Sequence, residues 1–252
     1  MTMNKTALIT GASKRIGYSI SKFLAIRGYN IALHYNTSEQ ESNEVVNELK
    51  KLGCNVKKFK LDLFKTVSIE AFFTKIVKHF GEVDLLINNA SIFELDSLDS
   101  CSFLSLDKHL NINLKAPLFL SKYFVQSLNN KGNIINILDQ RVLNITPYFT
   151  SYTLSKCALW TLTQSLALSL APRVRVNAIA PGPTLKSDRQ SRKQFLEQIR
   201  RTPLKKQVSL DDINSSIDLI IKSRSMTGQL ILLDSGQNLG WAHSKSKKLI
   251  DD

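Results

Sequence analysis

The fold of this chain is decided by the stretch Thr10-Gly11-Ala12-Ser13-Lys14-Arg15-Ile16-Gly17, which follows an apolar run at residues 6–10. Glycine at position 11 lets the backbone turn tightly, and glycine at position 17 lets a following helix pack closely on the strand. The free N–H groups at the start of that helix favour a phosphate group. In a strand–turn–helix context the motif predicts a dinucleotide site rather than an ordinary connection.

The rest of the chain alternates apolar runs of strand length with amphipathic stretches of helical length. This alternation predicts an α/β fold, a single Rossmann-type domain over residues 1–242 with a doubly wound parallel sheet and helices on both faces. About seven strands are expected, at residues 6–10, 30–35, 56–61, 83–88, 133–138, 174–180 and 229–233. Helices are expected near residues 15–28, 39–52, 66–80, 103–130, 151–171 and 210–222.

Two segments fall outside this alternation. Residues 183–208 follow Pro181-Gly182-Pro183 and are rich in Ser, Arg, Lys and Gln, so we expect them to form an excursion over the active site. Residues 243–252 are polar, and we expect a frayed C-terminal tail there.

Composition excludes several classes of protein. The 252 residues are 43% apolar, yet no run approaches the roughly 18 consecutive apolar residues of a membrane span. The N-terminus has no secretory signal pattern, and the three cysteines form no paired or CxxC pattern, which predicts a cytoplasmic protein. The four histidines lack metal-ligand spacing, so we expect no catalytic metal.

The net charge of +13 invites a nucleic-acid interpretation. The Lys and Arg residues are dispersed, however, and no basic helix interleaved with aromatic residues occurs. We therefore expect no nucleic-acid partner and no membrane partner. A basic surface favours small anionic molecules, of which a phosphorylated cofactor is one.

Two features bear on the choice of cofactor. Arg15 stands where this turn often has a middle glycine, and with Lys14 it is either a contact to the pyrophosphate or a solvated basic pair. The second strand ends without an acidic residue before Glu39, whereas sites for NAD usually place Asp or Glu there to bind the ribose. Asn, Thr and Ser side chains can instead bind a 2′-phosphate, so NADPH is the expected cofactor.

A Tyr-x-x-x-Lys pair at Tyr152 and Lys156 suits hydride-transfer chemistry. Both side chains share one face of a predicted helix, and a nearby ammonium is expected to lower the pKa of the phenol toward working pH. The same spacing occurs at Tyr18 and Lys22, which we assign to an ordinary helix surface. Only Tyr152 follows the carboxyl end of a central strand, where ligands gather in open parallel sheets.

Together with Asp62-Leu63, Asn88-Asn89-Ala90, Asn111-Ile112-Asn113-Leu114, Pro181-Gly182 and Met226-Thr227-Gly228-Gln229, these motifs resemble the short-chain dehydrogenase/reductase superfamily over roughly residues 5–240. The resemblance implies a homotetramer and catalytic roles for Tyr152, Lys156 and Asn113, with Asn113 helping to hold a proton-relay water. The expected cofactor-binding residues are Gly11, Ser13, Arg15, Ile16, Gly17, Tyr35, Asn36, Ser38, Asp62, Leu63, Asn89, Ala90, Lys156, Pro181, Gly182 and Thr184.

Most members of that superfamily carry Ser where this chain has Asp139. An ionised carboxylate accepts hydrogen bonds only, and it suits delivery of a proton, with Tyr152, to a ring nitrogen. This substitution is similar to the pteridine reductases, and so are Ser13-Lys14-Arg15-Ile16-Gly17, His34-Tyr35 with Ser38, and Asn89-Ala90-Ser91-Ile92-Phe93. The resemblance implies that the residues contacting substrate are Arg15, Ser91, Phe93, Asp139 and Tyr152.

Other interpretations stay open. Phe93 is alternatively a core aromatic residue, and Asp139 is alternatively a structural partner of nearby Arg141. The leading hypothesis is an NADPH-dependent reductase of dihydropterins or dihydrofolate. The alternatives are a carbonyl reductase of the 3-oxoacyl-thioester type, or a nucleotide-binding protein without turnover.

Overall fold

The computed structural model describes residues 4–187 and 189–239. Seven strands form one sheet: β1 (Thr6–Ile9), β2 (Asn30–Tyr35), β3 (Val56–Lys60), β4 (Leu85–Asn88), β5 (Gly132–Ile137), β6 (Val174–Pro181) and β7 (Leu230–Leu233). Their order in the sheet is β3-β2-β1-β4-β5-β6-β7. All pairings are parallel, from β1 with β2 to β6 with β7, which confirms the doubly wound sheet predicted from the sequence.

Helices cover both faces of the sheet because the strands are apolar on both sides. The helices are α1 (Arg15–Ile26), α2 (Glu39–Lys51), α3 (Ile69–Phe80), α4 (Phe103–Leu110), α5 (Ala116–Ser127), α6 (Thr150–Leu170), α7 (Arg192–Arg200) and α8 (Leu210–Lys222). One large hydrophobic cluster joins the sheet to α1, α2 and α8, and a second joins it to α3, α5 and α6. A smaller third cluster joins α6 to β6. No helix in the described part of the chain is long and apolar enough to cross a membrane.

The strand order reverses direction between β1 and β4. The chain runs outward from β1 to β3, then returns to place β4 on the other side of β1. In open parallel sheets, a crevice forms beyond the carboxyl ends of the strands at such a point. The fold therefore places the turn after β1 and the segments after β4 and β5 around one crevice.

The structure corrects two predicted elements. The single helix expected at 103–130 is two helices joined by a π-helical turn over Asn111–Lys115. The excursion at 183–208 contains the short helix α7, which begins with a capping box formed by Ser191 and Gln194. The predicted tail at 243–252 and the end of the predicted domain at 240–242 lie outside the described residues.

Candidate active site

A cleft of about 1310 Å³ opens at the carboxyl ends of the strands. It is lined by every site residue predicted from the sequence except Asn113, which is fully buried. The turn after β1 lies at one side of this cleft, and the residues after β5 and the start of α6 lie at the other. The tertiary structure thus brings together segments that are more than 100 residues apart in the chain.

The turn after β1 requires glycine at position 17. A Cβ atom there would lie 2.1 Å from the carbonyl oxygen of Gly11, which is too close for any side chain. Arg15 has φ +54°, in the left-handed region that favours glycine, which accounts for the glycine that this turn often has at that position. The turn therefore keeps the glycine-type backbone although the side chain is an arginine.

The Arg15 guanidinium points toward the excursion. It donates to the carbonyl oxygens of Lys186 at 2.8 Å and Leu185 at 3.1 Å. Lys14 forms an exposed ion pair of 2.5 Å with Glu41. In this structure both cations have protein partners, and Arg15 links the turn to the excursion across the cleft.

The end of β2 is tied to the turn through His34. This imidazole accepts a hydrogen bond from the backbone N–H of Gly11 at 3.0 Å, and its other nitrogen lies 3.0 Å from the carbonyl oxygen of Leu61. Burial lowers the pKa of His34 to about 4, so the ring is neutral. The hydroxyl groups of Ser13 and Ser38 lie 2.8 Å apart, which joins the turn to the end of β2 directly.

The residues after β4 are held against the turn. The Thr10 hydroxyl accepts hydrogen bonds from the backbone N–H groups of Asn89 and Ala90, both at 2.9 Å. The Asn89 amide donates to the carbonyl oxygens of Thr10 at 2.8 Å and Gly11 at 3.2 Å. Asn89 and Ala90 are therefore fixed at the floor of the cleft beside the turn.

The remaining predicted cofactor residues lie around the same cleft. The Asp62 carboxylate accepts from the backbone N–H of Phe64 at 3.1 Å, which leaves Asp62 and Leu63 at the edge beside β3. The Thr184 hydroxyl donates to the carbonyl oxygen of Gly182 at 3.1 Å. Ile16, Tyr35, Asn36 and Pro181 also line the cleft.

Asp139 and Tyr152 form the centre of the site. The Tyr152 hydroxyl donates to Asp139 Oδ2 at 2.9 Å. Lys156 lies one turn further along α6, and its Nζ donates to the carbonyl oxygen of Ile137 at 2.8 Å. Because Asp139 comes two residues after Ile137, the last residue of β5, the end of that strand positions both the carboxylate and the carbonyl that orient these two side chains.

The predicted direction of the Tyr152 pKa is wrong for this structure. Burial, the Asp139 charge and the hydrogen bond to Asp139 raise the pKa of Tyr152 well above its usual value. Burial also lowers the pKa of Lys156 to about 8, although the Asp139 charge opposes this shift. Tyr152 is thus a neutral phenol that can donate its proton. The negative charge of Asp139, which stands where most members of the superfamily have Ser, disfavours the phenolate.

Asn113 is buried behind the cleft and supports the residues that line it through hydrogen bonds. Its side-chain oxygen accepts from the Ser91 hydroxyl at 3.1 Å and from the backbone N–H of Ile92 at 2.9 Å. Its amide nitrogen donates to the carbonyl oxygen of Ile92 and to the Ser155 hydroxyl at 3.0 Å. Asn113 lies in the π-helical turn and joins the Ser91–Phe93 segment to α6; π turns inside helices are frequent at functional sites.

The wall beside Tyr152 is aromatic. Phe93 stacks on Phe149 with centroids 4.4 Å apart and an interplanar angle of 10°. The edge of Tyr152 meets Phe93 at 4.7 Å, and the Arg141 guanidinium lies within 5.3 Å of both phenylalanine rings. Phe93 lines the cleft, and its contact with substrate stays a prediction. Phe149 and Arg141 carry no motif that would have marked them as part of this wall.

The comparisons with known proteins identify the class. The short chain dehydrogenase family model matches residues 5–196, so the chain belongs to that family of oxidoreductases. It is 39% identical to the FolM alternative dihydrofolate reductase 1 from Brucella suis, solved in complex with NADP. That match has a TM-score of 0.92 and covers 96% of this chain and 98% of the other.

Two further proteins show that the chain is also similar to other reductases and dehydrogenases of this family. A short chain dehydrogenase from Burkholderia cenocepacia, solved with NADP, is 28% identical with a TM-score of 0.87, over 94% of this chain and 100% of the other. The 3-oxoacyl-[acyl-carrier-protein] reductase FabG from Staphylococcus epidermidis is 34% identical over 245 residues, which is 93% of this chain and 99% of that protein.

Proposed function

We propose that this chain is an NADPH-dependent reductase of a dihydropterin or dihydrofolate-type substrate. The observation that carries the proposal is the 2.9 Å hydrogen bond from Tyr152 to Asp139 inside the cleft. A neutral phenol that donates to a carboxylate is a proton donor held in a fixed direction, beside a group that can accept and pass on a proton. The likeness to FolM from Brucella suis supports the choice of substrate class.

The residues present fit a phosphorylated dinucleotide. The turn between Gly11 and Gly17 lets the backbone approach the pyrophosphate, and the hydroxyl groups of Ser13 and Ser38 meet beyond the end of β2, where no acidic residue precedes Glu39. Asp62 and Leu63 would flank the adenine, and Lys156 would bind the nicotinamide ribose. Bound NADPH supplies the hydride in this chemistry.

The chain's own residues supply the proton. As a hydride adds to the carbon of a ring C=N bond, the adjacent nitrogen becomes basic and takes the Tyr152 proton. Asp139 holds the phenol in place and then passes a proton from solvent to the phenolate, which restores the neutral phenol. The Lys156 ammonium, fixed by the Ile137 carbonyl, stabilises the phenolate that forms.

Phe93 and the excursion would place the substrate. The Phe93 ring offers a flat apolar surface against which a pterin ring can stack, with Ser91 as a polar contact. Residues 183–208 hold eight Lys and Arg residues against two acidic ones, which is +6 of the chain's +13 formal charge. A basic rim suits an anionic substrate tail such as the glutamate of dihydrofolate.

The test is NADPH oxidation with dihydrobiopterin, dihydromonapterin and dihydrofolate. We expect steady turnover on at least one of them and a loss of about 100-fold or more in Asp139→Ala, because a proton-transfer partner contributes about that much. Parallel assays with NADH report cofactor preference. No turnover by the wild-type protein on any of the three substrates would contradict the proposal.

The second candidate is a 3-oxoacyl-thioester reductase. The FabG relative from Staphylococcus epidermidis supports it, while Asp139 in place of the usual Ser counts against it. Faster reduction of an acetoacetyl thioester than of any pterin would decide for this candidate. A nucleotide-binding protein without turnover is less consistent with the Tyr152–Asp139 pair, because binding alone needs no proton relay.

The homotetramer and the cytoplasmic location belong to the same proposal. The first rests on the family resemblance, and the second on the absence of paired cysteines from the sequence. Light scattering of the purified protein tests the assembly, and a monomer would contradict it.

A further inference from the structure

Arg141 lies in a short 3₁₀ turn, Gln140–Val142, directly after Asp139. Its backbone N–H donates to Asp139 Oδ1 at 2.9 Å, and its guanidinium Nη1 lies 3.4 Å from Asp139 Oδ2. Asp139 Oδ2 also accepts the Tyr152 hydrogen bond. Both carboxylate oxygens are therefore restrained by Arg141 while one of them is bonded to the phenol.

The same guanidinium contacts the aromatic wall. Its central carbon lies 5.3 Å from the Phe93 centroid and 4.9 Å from the Phe149 centroid. The guanidinium lies over both rings at similar distances, so it contacts the stacked pair and not one ring alone. Phe149 directly precedes α6, the helix that carries Tyr152.

The burial of the Arg141 side chain is energetically unfavourable in one respect. That side chain is only 16% exposed, and its Nε is buried without a hydrogen-bond partner among the described residues. A buried donor without a partner is unfavourable, so the contacts to Asp139 and the two rings must outweigh that cost. A solvated arginine with no role in the site would keep its Nε in water.

We propose that Arg141 is a positioning residue that fixes the Asp139 carboxylate against Tyr152 and Phe93 against Phe149 with one side chain. This inference rests on the proposed function. The proton-delivery pair and the ring that stacks on the substrate then keep a constant relative position. Such placement matters because a displacement of about 1 Å at a reacting centre can cost about 100-fold in rate.

The test is a double-mutant cycle on kcat with Arg141→Met and Asp139→Ser. In the wild-type background, Arg141→Met should lower kcat by about 10-fold to 100-fold, with a smaller rise in KM. In the Asp139→Ser background it should change kcat less than about twofold, because its effect on proton delivery passes through the carboxylate, whereas the rise in KM, which reflects the placement of Phe93, should remain. Arg141→Lys keeps the charge without the planar fork and should restore part of the loss.

Arg27→Met is the matched control. Arg27 also pairs with a carboxylate, Asp218 at 2.9 Å, and also lies over a phenylalanine, Phe23 at 4.5 Å, but it is not among the cleft residues. Thermal unfolding of both variants separates folding from function, and Arg27→Met should leave kcat unchanged.

Two results would overturn the role of Arg141. One is an equal fractional loss of kcat in both Asp139 backgrounds, which would mean that Arg141 acts independently of the carboxylate. The other is a change in unfolding temperature with no change in kcat. The wild-type substrate panel judges the proposed function separately, and the cycle is run on whichever substrate, pterin or acetoacetyl thioester, the wild-type protein reduces.

Discussion

Replacing Lys156 by Met should make the cofactor-free protein more stable at neutral pH while removing its activity. Lys156 is 2% exposed, and burial lowers its pKa from 10.5 to about 8. Below pH 8 the native protein therefore holds an ammonium group in a site that disfavours it. A methionine of similar length removes that charge from the same space.

The magnitude follows from the shift. A pKa lowered by about 2.5 units corresponds to about 3 kcal/mol at about 1.36 kcal/mol per unit. Loss of the hydrogen bond from Nζ to the Ile137 carbonyl offsets about 1 kcal/mol of this. The net gain is about 2 kcal/mol, which for a chain of this length raises the unfolding temperature by about 4–8 °C.

The stability difference between the wild type and Lys156→Met should change with pH in a definite direction. Between pH 8 and pH 10.5 the unfolded chain keeps the lysine proton while the native protein gives it up, so wild-type stability rises with pH in that window. The advantage of Lys156→Met is thus complete below pH 8 and disappears as the pH rises toward 10.5. Urea unfolding at about pH 7 and about pH 9.5 measures both ends. Bound NADPH must be absent, since a ligand adds stability of its own.

Lys22→Met is the control, because Lys22 stands in the same Tyr-x-x-x-Lys spacing at Tyr18. Its ammonium is exposed and forms an ion pair of 2.7 Å with Glu48, so its replacement should not stabilise the protein. The reasoning fails if Lys156→Met is less stable than the wild type at pH 7. It also fails if the two proteins differ by the same amount at both pH values.

Three further predictions concern other parts of the cleft. Gly17→Ala should destabilise the protein by about 1–3 kcal/mol or more and abolish NADPH binding, because its Cβ would lie 2.1 Å from the Gly11 carbonyl; urea unfolding and cofactor titration check this. His34 stays neutral in the native protein down to about pH 4, whereas the unfolded chain binds a proton there below about pH 6.5. As the pH falls from 6.5 to 4, the free energy of unfolding of the wild type should therefore drop by about 3 kcal/mol more than that of His34→Gln, which urea-unfolding midpoints at the two pH values measure. The substitutions Arg189→Glu and Lys193→Glu, both at cleft residues, should raise KM for dihydrofolate more than for uncharged dihydrobiopterin. Equal effects on both substrates would mean that these basic residues do not bind the anionic tail of dihydrofolate.

Much of the fold could be predicted from the sequence because parallel strands buried on both faces are uninterrupted apolar runs. The expected strands at 30–35 and 174–180 agree with β2 and β6 to within a residue. The helix expected at 103–130 is wrong as a single element. Hydrophobic periodicity does not report a change of hydrogen-bond register, so the π-helical turn over Asn111–Lys115 left no pattern to read.

The sequence by itself determined the fold class and the family, and it marked about half of the residues that line the cleft, because glycine turns and the Tyr-x-x-x-Lys spacing are local patterns along the chain. Only the tertiary structure decided the state of Tyr152. The phenol pKa rises because Asp139, thirteen positions earlier in the chain, meets the hydroxyl in a buried place. The contact of Arg141 with Phe93 and Phe149 likewise depends on packing, because charge and ring positions across loops are set by the folded core and not by spacing along the chain.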